Sequence, residues 1–355
     1  MDFKAIFEVS GWRKCAILKT HNKGAKYIAN SAKFASIIII HQSFVKSMNE
    51  TANFQETSYL LHEKNHALNN GDLTEDQKSW LRNDTVDFWR HDRMYKPLSP
   101  LLKNNPKTKW LTVGDARLGL DSIKLKNIEP TLDILPVDIS TVLLEYAKKN
   151  NLITNYSKEN AEKLSFPDNT FDFAFCKESF HHFPRPYIAL YEMIRVATKA
   201  VILIEPNEID ILSRSLTGRL WIGFKQFIKK IIGKKNPHID TGNFETVGNY
   251  VYTVSKREIE KVALGLGLTT VAFYYFNDVY IYGTEFEKAE SGSILFKKIK
   301  AGIRKKDIRS KLGIDPYKNI ITVIFKQNPS EKICKELVEN KFEIVQLPEN
   351  PYVAR

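Results

Sequence analysis

Residues 159–183 read ENAEKLSFPDNTFDFAFCKESFHHF. Asn160-Ala161-Glu162 has the polar, small-residue character of a loop, and Pro167-Asp168-Asn169 reads as a turn. Phe171–Phe175 then reads as a strand, with His181 and His182 just beyond its end. Upstream, Trp110–Val113 is a first strand that runs into Gly114, and Leu132–Val137 is a second that runs into Asp138. Thr141–Asn150 between them and the quoted run is helical. Downstream, Tyr187–Val196 is an amphipathic helix, and Ala200–Ile204 is a fourth strand closing on Glu205 and Pro206. Short strands alternating with helices predict an α/β fold with a parallel, doubly wound sheet. Such a sheet binds its ligand outside the carboxyl ends of its strands.

The rest of the chain is arranged around this run. Residues 1–108 read as a helical N-terminal region serving as a lid, a substrate element or an oligomerisation element. Thr74 and Gln77 there stand at capping-box spacing. Residues 109–287 form the core, with a basic, apolar insertion at 207–250 that reads as helical over 209–232. Ser255–Leu268 returns to helix, with Ser255 and Glu258 as a second capping box. Residues 288–355 hold a basic segment followed by the strand Asn319–Phe325, a helix at Glu331–Asn340 and the strand Phe342–Gln346. Together with Thr269–Phe276, these strands can close the sheet.

With 355 residues, 43% hydrophobic and 26% charged, the chain has ordinary globular composition, neither disordered nor disulfide-built. Cys15, Cys176 and Cys334 are far apart and form no CxxC pair, which suits a reducing compartment. The longest apolar run, Ala35–Ile40, is too short to cross a bilayer, and the N-terminus lacks a signal-peptide layout. The expected location is the cytoplasm, with peripheral contact to the inner face of the membrane open. The net charge is +12. Residues 208–235 hold seven Lys and Arg against two acids, and residues 288–312 hold nine against two, so two segments account for all of it. Arg219–Lys235 reads either as a helix lying on an anionic membrane or as a helix packed over the site. Lys297–Lys311 reads as an exposed linker, with phosphate or nucleic-acid binding as the alternative. No RNA-binding module or metal-ligand spacing is present, so neither nucleic acid nor a metal is expected.

Gly114 stands where the backbone must turn and approach a ligand, and Asp138 where an acid can accept hydrogen bonds from both hydroxyls of a ribose. With Asn160–Asp172, the Phe180–Phe183 stretch and the Ala189–Val196 helix in this order, the run resembles the class I S-adenosylmethionine-dependent methyltransferases. The resemblance is to their ubiquinone/menaquinone-biosynthesis-like, small-molecule branch. It covers about a hundred residues closely, the C-terminal strands loosely and residues 1–100 not at all. It implies a Rossmann-like sheet and S-adenosylmethionine as cofactor. It further implies that Gly114, Asp115, Ala116, Gly119, Asp138, Ile139, Asn160, Ala161, Glu162 and Lys177 border that cofactor.

The first turn departs from the family pattern. LTVGDARLG, Leu111–Gly119, has Thr112 where an acid is common and Ala116 at the second glycine position. Leu118 stands at the third, with Gly119 one place late. Ala116 is tolerable if its φ stays negative. Asn160 replaces an acid that often accepts from the adenine amino group, a bond an Asn carbonyl can also accept. His181 and His182 are the candidate bases for a hydroxyl acceptor. On an extended segment only one of the two would face the pocket. Glu178 and Glu205 read as structural hydrogen-bond acceptors. Arg185 reads as part of a rigid turn or as a contact for an anionic acceptor, and Arg195 as an ion-pair residue. Trp89, Arg90, His91, Asp92 and Tyr95 read as a packed helix or a lid.

The function implied is methyl transfer to a small molecule, through oxygen, on a sugar or glycan-biosynthesis intermediate that is anionic or lipid-linked. A quinone or aromatic acceptor is one alternative. A non-catalytic cofactor-binding or scaffold protein with a degenerate glycine motif is another.

Overall fold

A computed structural model describes residues 56–64, 67–208 and 250–352. The chain divides into Met1–Glu56 and a compact unit, Thr57–Arg355. Cys15, the 209–232 helix and the basic helix 219–235 lie outside the described residues.

Eight strands make one sheet: β1 Lys109–Val113, β2 Asp133–Asp138, β3 Ser157–Lys158, β4 Phe171–Lys177, β5 Ala197–Pro206, β6 Thr270–Phe276, β7 Asn319–Phe325 and β8 Glu343–Gln346. Their order is β3-β2-β1-β4-β5-β7-β6-β8. The first five pair in parallel, and β7 joins β5 antiparallel, as do β6 to β7 and β8 to β6. The sheet is therefore mostly parallel and doubly wound, and the C-terminal strands close it. Central strands such as β4, FDFAFCK, are apolar at nearly every position because helices cover both faces. The two-residue β3 was not legible in the sequence, since a pair of residues has no periodicity.

Alternation along the strands sorts the core into two layers. Leu111, Ala174, Cys176, Val201 and Leu203 face the helices α6, Pro186–Val196, and α7, Lys256–Gly265, through Leu190, Met193, Ile259 and Ala263. Trp110, Phe173, Phe175, Ile202 and Ile204 face the other way. There they meet α2 Val86–Tyr95, α3 Ser99–Lys103, α4 Leu120–Ile128 and α9 Glu331–Glu339, through Met94, Leu101, Leu102, Leu125 and Leu337. Trp110 stacks on Phe173 with centroids 4.4 Å apart. The short helix α1, Glu75–Ser79, and the helix α5, Val142–Lys149, complete this half of the chain. Both expected capping boxes form, Thr74 with Gln77 and Ser255 with Glu258.

The boundary read at 108/109 falls inside the compact unit, because α2 and α3 supply one of its core layers. The segment read as a linker is instead the 18-residue helix α8, Ile294–Lys311, capped by Ser293. Phe296, Ile299 and Ile303 share one helical face and pack with Val86 and Trp89, and the dense lysines around them masked that spacing.

Candidate functional site

The tips of the parallel strands open into a cavity of about 730 Å³. β1 ends in Gly114 at φ +80°, a conformation that favours glycine. The next residue, Asp115, turns its carboxylate inward. It accepts from the backbone N–H groups of Asp121 and Ser122 at 3.0 and 3.1 Å and from the hydroxyls of Thr112 and Ser122, both at 2.9 Å. Burial and the neighbouring Asp121 push the Asp115 carboxyl well above the usual carboxylate range. Asp115 thus ties the loop to the start of α4. Ala116 lines the cavity and is not among the positive-φ residues.

Leu118 and Gly119 both take the left-handed conformation, at φ +60° and +69°. Leu118 is buried with Leu73, Leu143 and Ala147, away from the cavity wall. Gly119, expected beside the cofactor, is not among the residues lining the cavity. Its missing Cβ would fall 2.8 Å from Ile153 Cγ2, so the glycine serves packing behind the loop.

Asp138 and Ile139 at the end of β2, and Asn160, Ala161 and Glu162 after β3, line the same cavity. Asp138 Oδ1 accepts from Ser140 N at 2.8 Å. Burial raises its carboxyl to about 6, although backbone N–H groups of Ser140, Ala116 and Ile139 work against this. Asn160 Oδ1 already accepts from Glu162 N at 2.9 Å, so its carbonyl is turned to the loop rather than reserved for an adenine amino group. Glu162 is likewise engaged. It accepts from Arg185 N and Nε at 2.8 and 2.6 Å and from the Tyr59 hydroxyl at 2.7 Å. That network accounts for Arg185 as part of a built turn. Arg195 holds Glu192 and Asp168, as an ion-pair residue should.

Past β4 the chain does not stay extended. Glu178 sits at φ +50°, and Phe180–His182 forms a 3₁₀ turn. That turn brings both His181 and His182 to the cavity wall with ring centroids 3.9 Å apart, against the expectation that only one would face it. Glu205, fully buried, accepts from Ser179 N and Phe180 N through Oε1 and lies 2.5 Å from His181 Nδ1 through Oε2. Burial, then the adjacent His181, lower His182 to about 3, so it is neutral at physiological pH. Lys177 is buried rather than solvated. Its ammonium bonds Glu178 at 2.5 Å and His91 Nδ1 at 2.9 Å. Burial alone would raise Glu178, but the charge and hydrogen bond of Lys177 outweigh it and hold that carboxyl well below its ordinary value. The same burial, with Lys177, keeps His91 neutral.

Of the far wall, the sequence singled out Arg90, His91 and Tyr95 as part of a packed helix or a lid, and missed Asp87, Asp121 and Lys124. This wall comes from α2 and α4, with Asp87, Arg90, His91, Tyr95, Asp121 and Lys124 facing the strand tips. Arg90 bonds Asp87 at 2.6 Å and pairs with Asp278, and the Tyr95 hydroxyl donates to Asp121. Lys124 Nζ is buried under the Phe88 ring and has no hydrogen-bond partner among the described residues. Burial, with Lys177 nearby, lowers it to about 8. The mixed polar and aromatic character of Trp89–Tyr95 was the trace of this wall in the linear chain.

An adenosyl group fits this arrangement. Asp138 presents a half-buried carboxylate at the strand tip where a ribose would lie, a glycine turn adjoins it, and Leu118 leaves the crevice open.

Residues 119–204 match the family model described as a methyltransferase domain. The ubiquinone/menaquinone biosynthesis C-methyltransferase UbiE of Agrobacterium fabrum is 28% identical over 202 residues, covering 52% of this chain and 77% of that protein. Among solved structures, a SAM-dependent methyltransferase from Archaeoglobus fulgidus aligns at TM-score 0.41 and 14% identity, over 66% of this chain and 93% of its own. The YcgJ protein of Bacillus subtilis aligns at TM-score 0.39 and 16% identity, over 66% of this chain and all of its own. Residues 119–204 are thus similar to a methyltransferase domain and the chain is similar to UbiE, in agreement with the resemblance read from the sequence, which implies S-adenosylmethionine as cofactor.

Proposed function

We propose that the protein methylates an oxygen of a small, hydroxyl-bearing acceptor of the sugar or glycan-intermediate class that carries an acidic group. The observation that carries this reading is the far wall of the cavity. Asp87, Arg90, His91, Tyr95, Asp121 and Lys124 offer charge and hydrogen bonds there, where a quinone ring and its tail would call for apolar cover. The similarity to UbiE favours the quinone-type alternative, and the polarity of this wall weighs against it. The open crevice weighs against the non-catalytic alternative.

S-adenosylmethionine supplies a methyl group bound to positively charged sulfur. Asp138 would receive the ribose hydroxyls, and the backbone around Gly114, Ala116 and Ile139 would border the nucleoside. Asn160 and Ala161 would close its edge. His181 is the group we assign to the acceptor proton. Glu205 fixes its tautomer and is placed to stabilise the imidazolium that forms, the role a buried carboxylate plays beside a catalytic histidine. His182, held neutral and weakly basic, borders the site without taking that proton. Lys124 is placed to meet an acidic group on the acceptor. Positioning within this rigid wall would supply much of the rate.

The test is transfer of label from methyl-tritiated S-adenosylmethionine to a panel of uronic acids, sugar phosphates and nucleotide sugars beside quinones and phenols. Label in an alkali-stable ether on a sugar supports the reading. Label only on quinones, or cofactor binding with no transfer to any of them, overturns it.

A further inference from the structure

Helix α8 has two unlike faces. Phe296, Ile299 and Ile303 bury the inner one against Val86 and Trp89, and Trp89 meets Phe296 edge-on at 4.9 Å. On the outer one, Ile294, Lys298, Ala301, Lys305, Ile308 and Leu312 follow each other down one side at intervals of three or four residues. Ile294 is 75% exposed, Ile308 49% and Leu312 65%, and Lys297, Lys300 and Arg304 flank them. The acid of the helix, Asp307, is turned away and accepts from Asn277 Nδ2 at 2.9 Å. In the segment before α8, Tyr282 is 79% exposed and Phe286 is also exposed. No helix among the described residues is long and apolar enough to cross a membrane.

We propose that the outer face of α8, with Tyr282 and Phe286, docks on an anionic lipid bilayer. The lysines and arginine match headgroup phosphates, and the large apolar side chains between them match the acyl boundary beneath. Charge alone would equally suit a nucleic acid. Three exposed aliphatic side chains on the same stripe would stay uncovered on a phosphate backbone, and that decides for lipid. The geometry also joins this face to the site. Tyr280 and Glu285, in the loop that leads to α8, line the cavity, and α2 packs on α8 with Trp89 while its Arg90 and His91 wall the cavity. The bound protein would hold its cavity wall about one helix diameter, ~10 Å, from the lipid-facing helix. The proposal is independent of which acceptor is methylated.

The full chain is sedimented with vesicles of phosphatidylcholine alone, or of phosphatidylcholine with about 30% phosphatidylglycerol, at about 0.1 M salt. Binding is expected to the anionic vesicles only, with release at high salt. The pair Lys298→Glu with Lys305→Glu should weaken it by about tenfold or more, and the pair Ile294→Ser with Ile308→Ser should weaken it independently. Both should keep thermal unfolding and cofactor affinity unchanged. No binding to anionic vesicles overturns the proposal. So does full binding by both variants that is lost instead on reversing Lys229 and Lys230. Loss in the charge variant alone, with single-stranded RNA competing vesicles away, overturns it in favour of a polyanion site.

Discussion

A Cβ added at Gly114 would lie 2.4 Å from Cβ of Ser179, while the Ser179 hydroxyl donates to the Gly114 carbonyl at 2.8 Å. The tips of β1 and β4, 65 residues apart, are clamped at a distance only a glycine permits. Gly114→Ala must therefore open the clamp and adopt an unfavourable φ. We expect a loss of stability of about 2–4 kcal/mol, from overpacking together with backbone strain. We also expect cofactor affinity to fall by more than about tenfold. Chemical denaturation and calorimetry with S-adenosylhomocysteine check the two effects. An alanine variant with unchanged affinity would separate the clamp from the site.

The two histidines are expected to part company. His181→Ala should lower kcat by about a hundredfold or more while leaving cofactor affinity within about twofold, since a general base is worth that much. His182→Ala should have a much smaller effect on kcat. Because His182 is neutral above about pH 4, with its value lowered to about 3, no acid limb between pH 5 and 8 should belong to it. Equal losses in both variants would retire the assignment.

Asp138 sets a pH dependence. Its carboxyl is raised to about 6 in the free protein, so protonation competes with its use as a hydrogen-bond acceptor below that value. Cofactor affinity should fall by up to about tenfold between pH 7.5 and pH 5, and Asp138→Asn should flatten the profile. Asp138→Ala should weaken binding by about 1–3 kcal/mol at neutral pH. Titration calorimetry across that range reads both.

Lys124 is expected to show itself in stability as well as in substrate use. Its folded-state value, about 8, lies below the ordinary 10.5, so between those values the unfolded chain binds more protons and stability rises with pH. Lys124→Met should be more stable than the wild type near pH 7, and the gap should narrow as pH approaches 10. The same variant should raise KM for an acidic acceptor more than it lowers kcat. A Tm difference that does not change with pH would contradict the buried, unpartnered ammonium.

The succession of strands along the chain and the carboxyl-edge site were legible because their signals are local. Apolar runs of four to six residues, Gly114 after β1 and Asp138 after β2 each follow from what a few adjacent residues can do. The helix α8 was misread for a local reason too. Three apolar residues at helical spacing, set among eight basic ones, have no visible partner until Val86 and Trp89 are brought beside them. Likewise Asn160 and Glu162 occupy the expected loop. Their side-chain bonds, to the loop's own backbone and to Arg185, depend on how that loop closes.

The amino-acid order by itself determined that a parallel sheet forms and at which end a nucleotide-like ligand sits, because the hydrophobic period and the turn residues act over neighbouring positions. The tertiary structure alone decided what faces that ligand. Tyr95, Asp121 and Lys124 reach the strand tips from two helices that are distant in the chain. The His181–Glu205 pair exists only where β5 is laid against β4. Burial then sets which of these groups carry charge, and burial is a property of the packed whole, not of any segment.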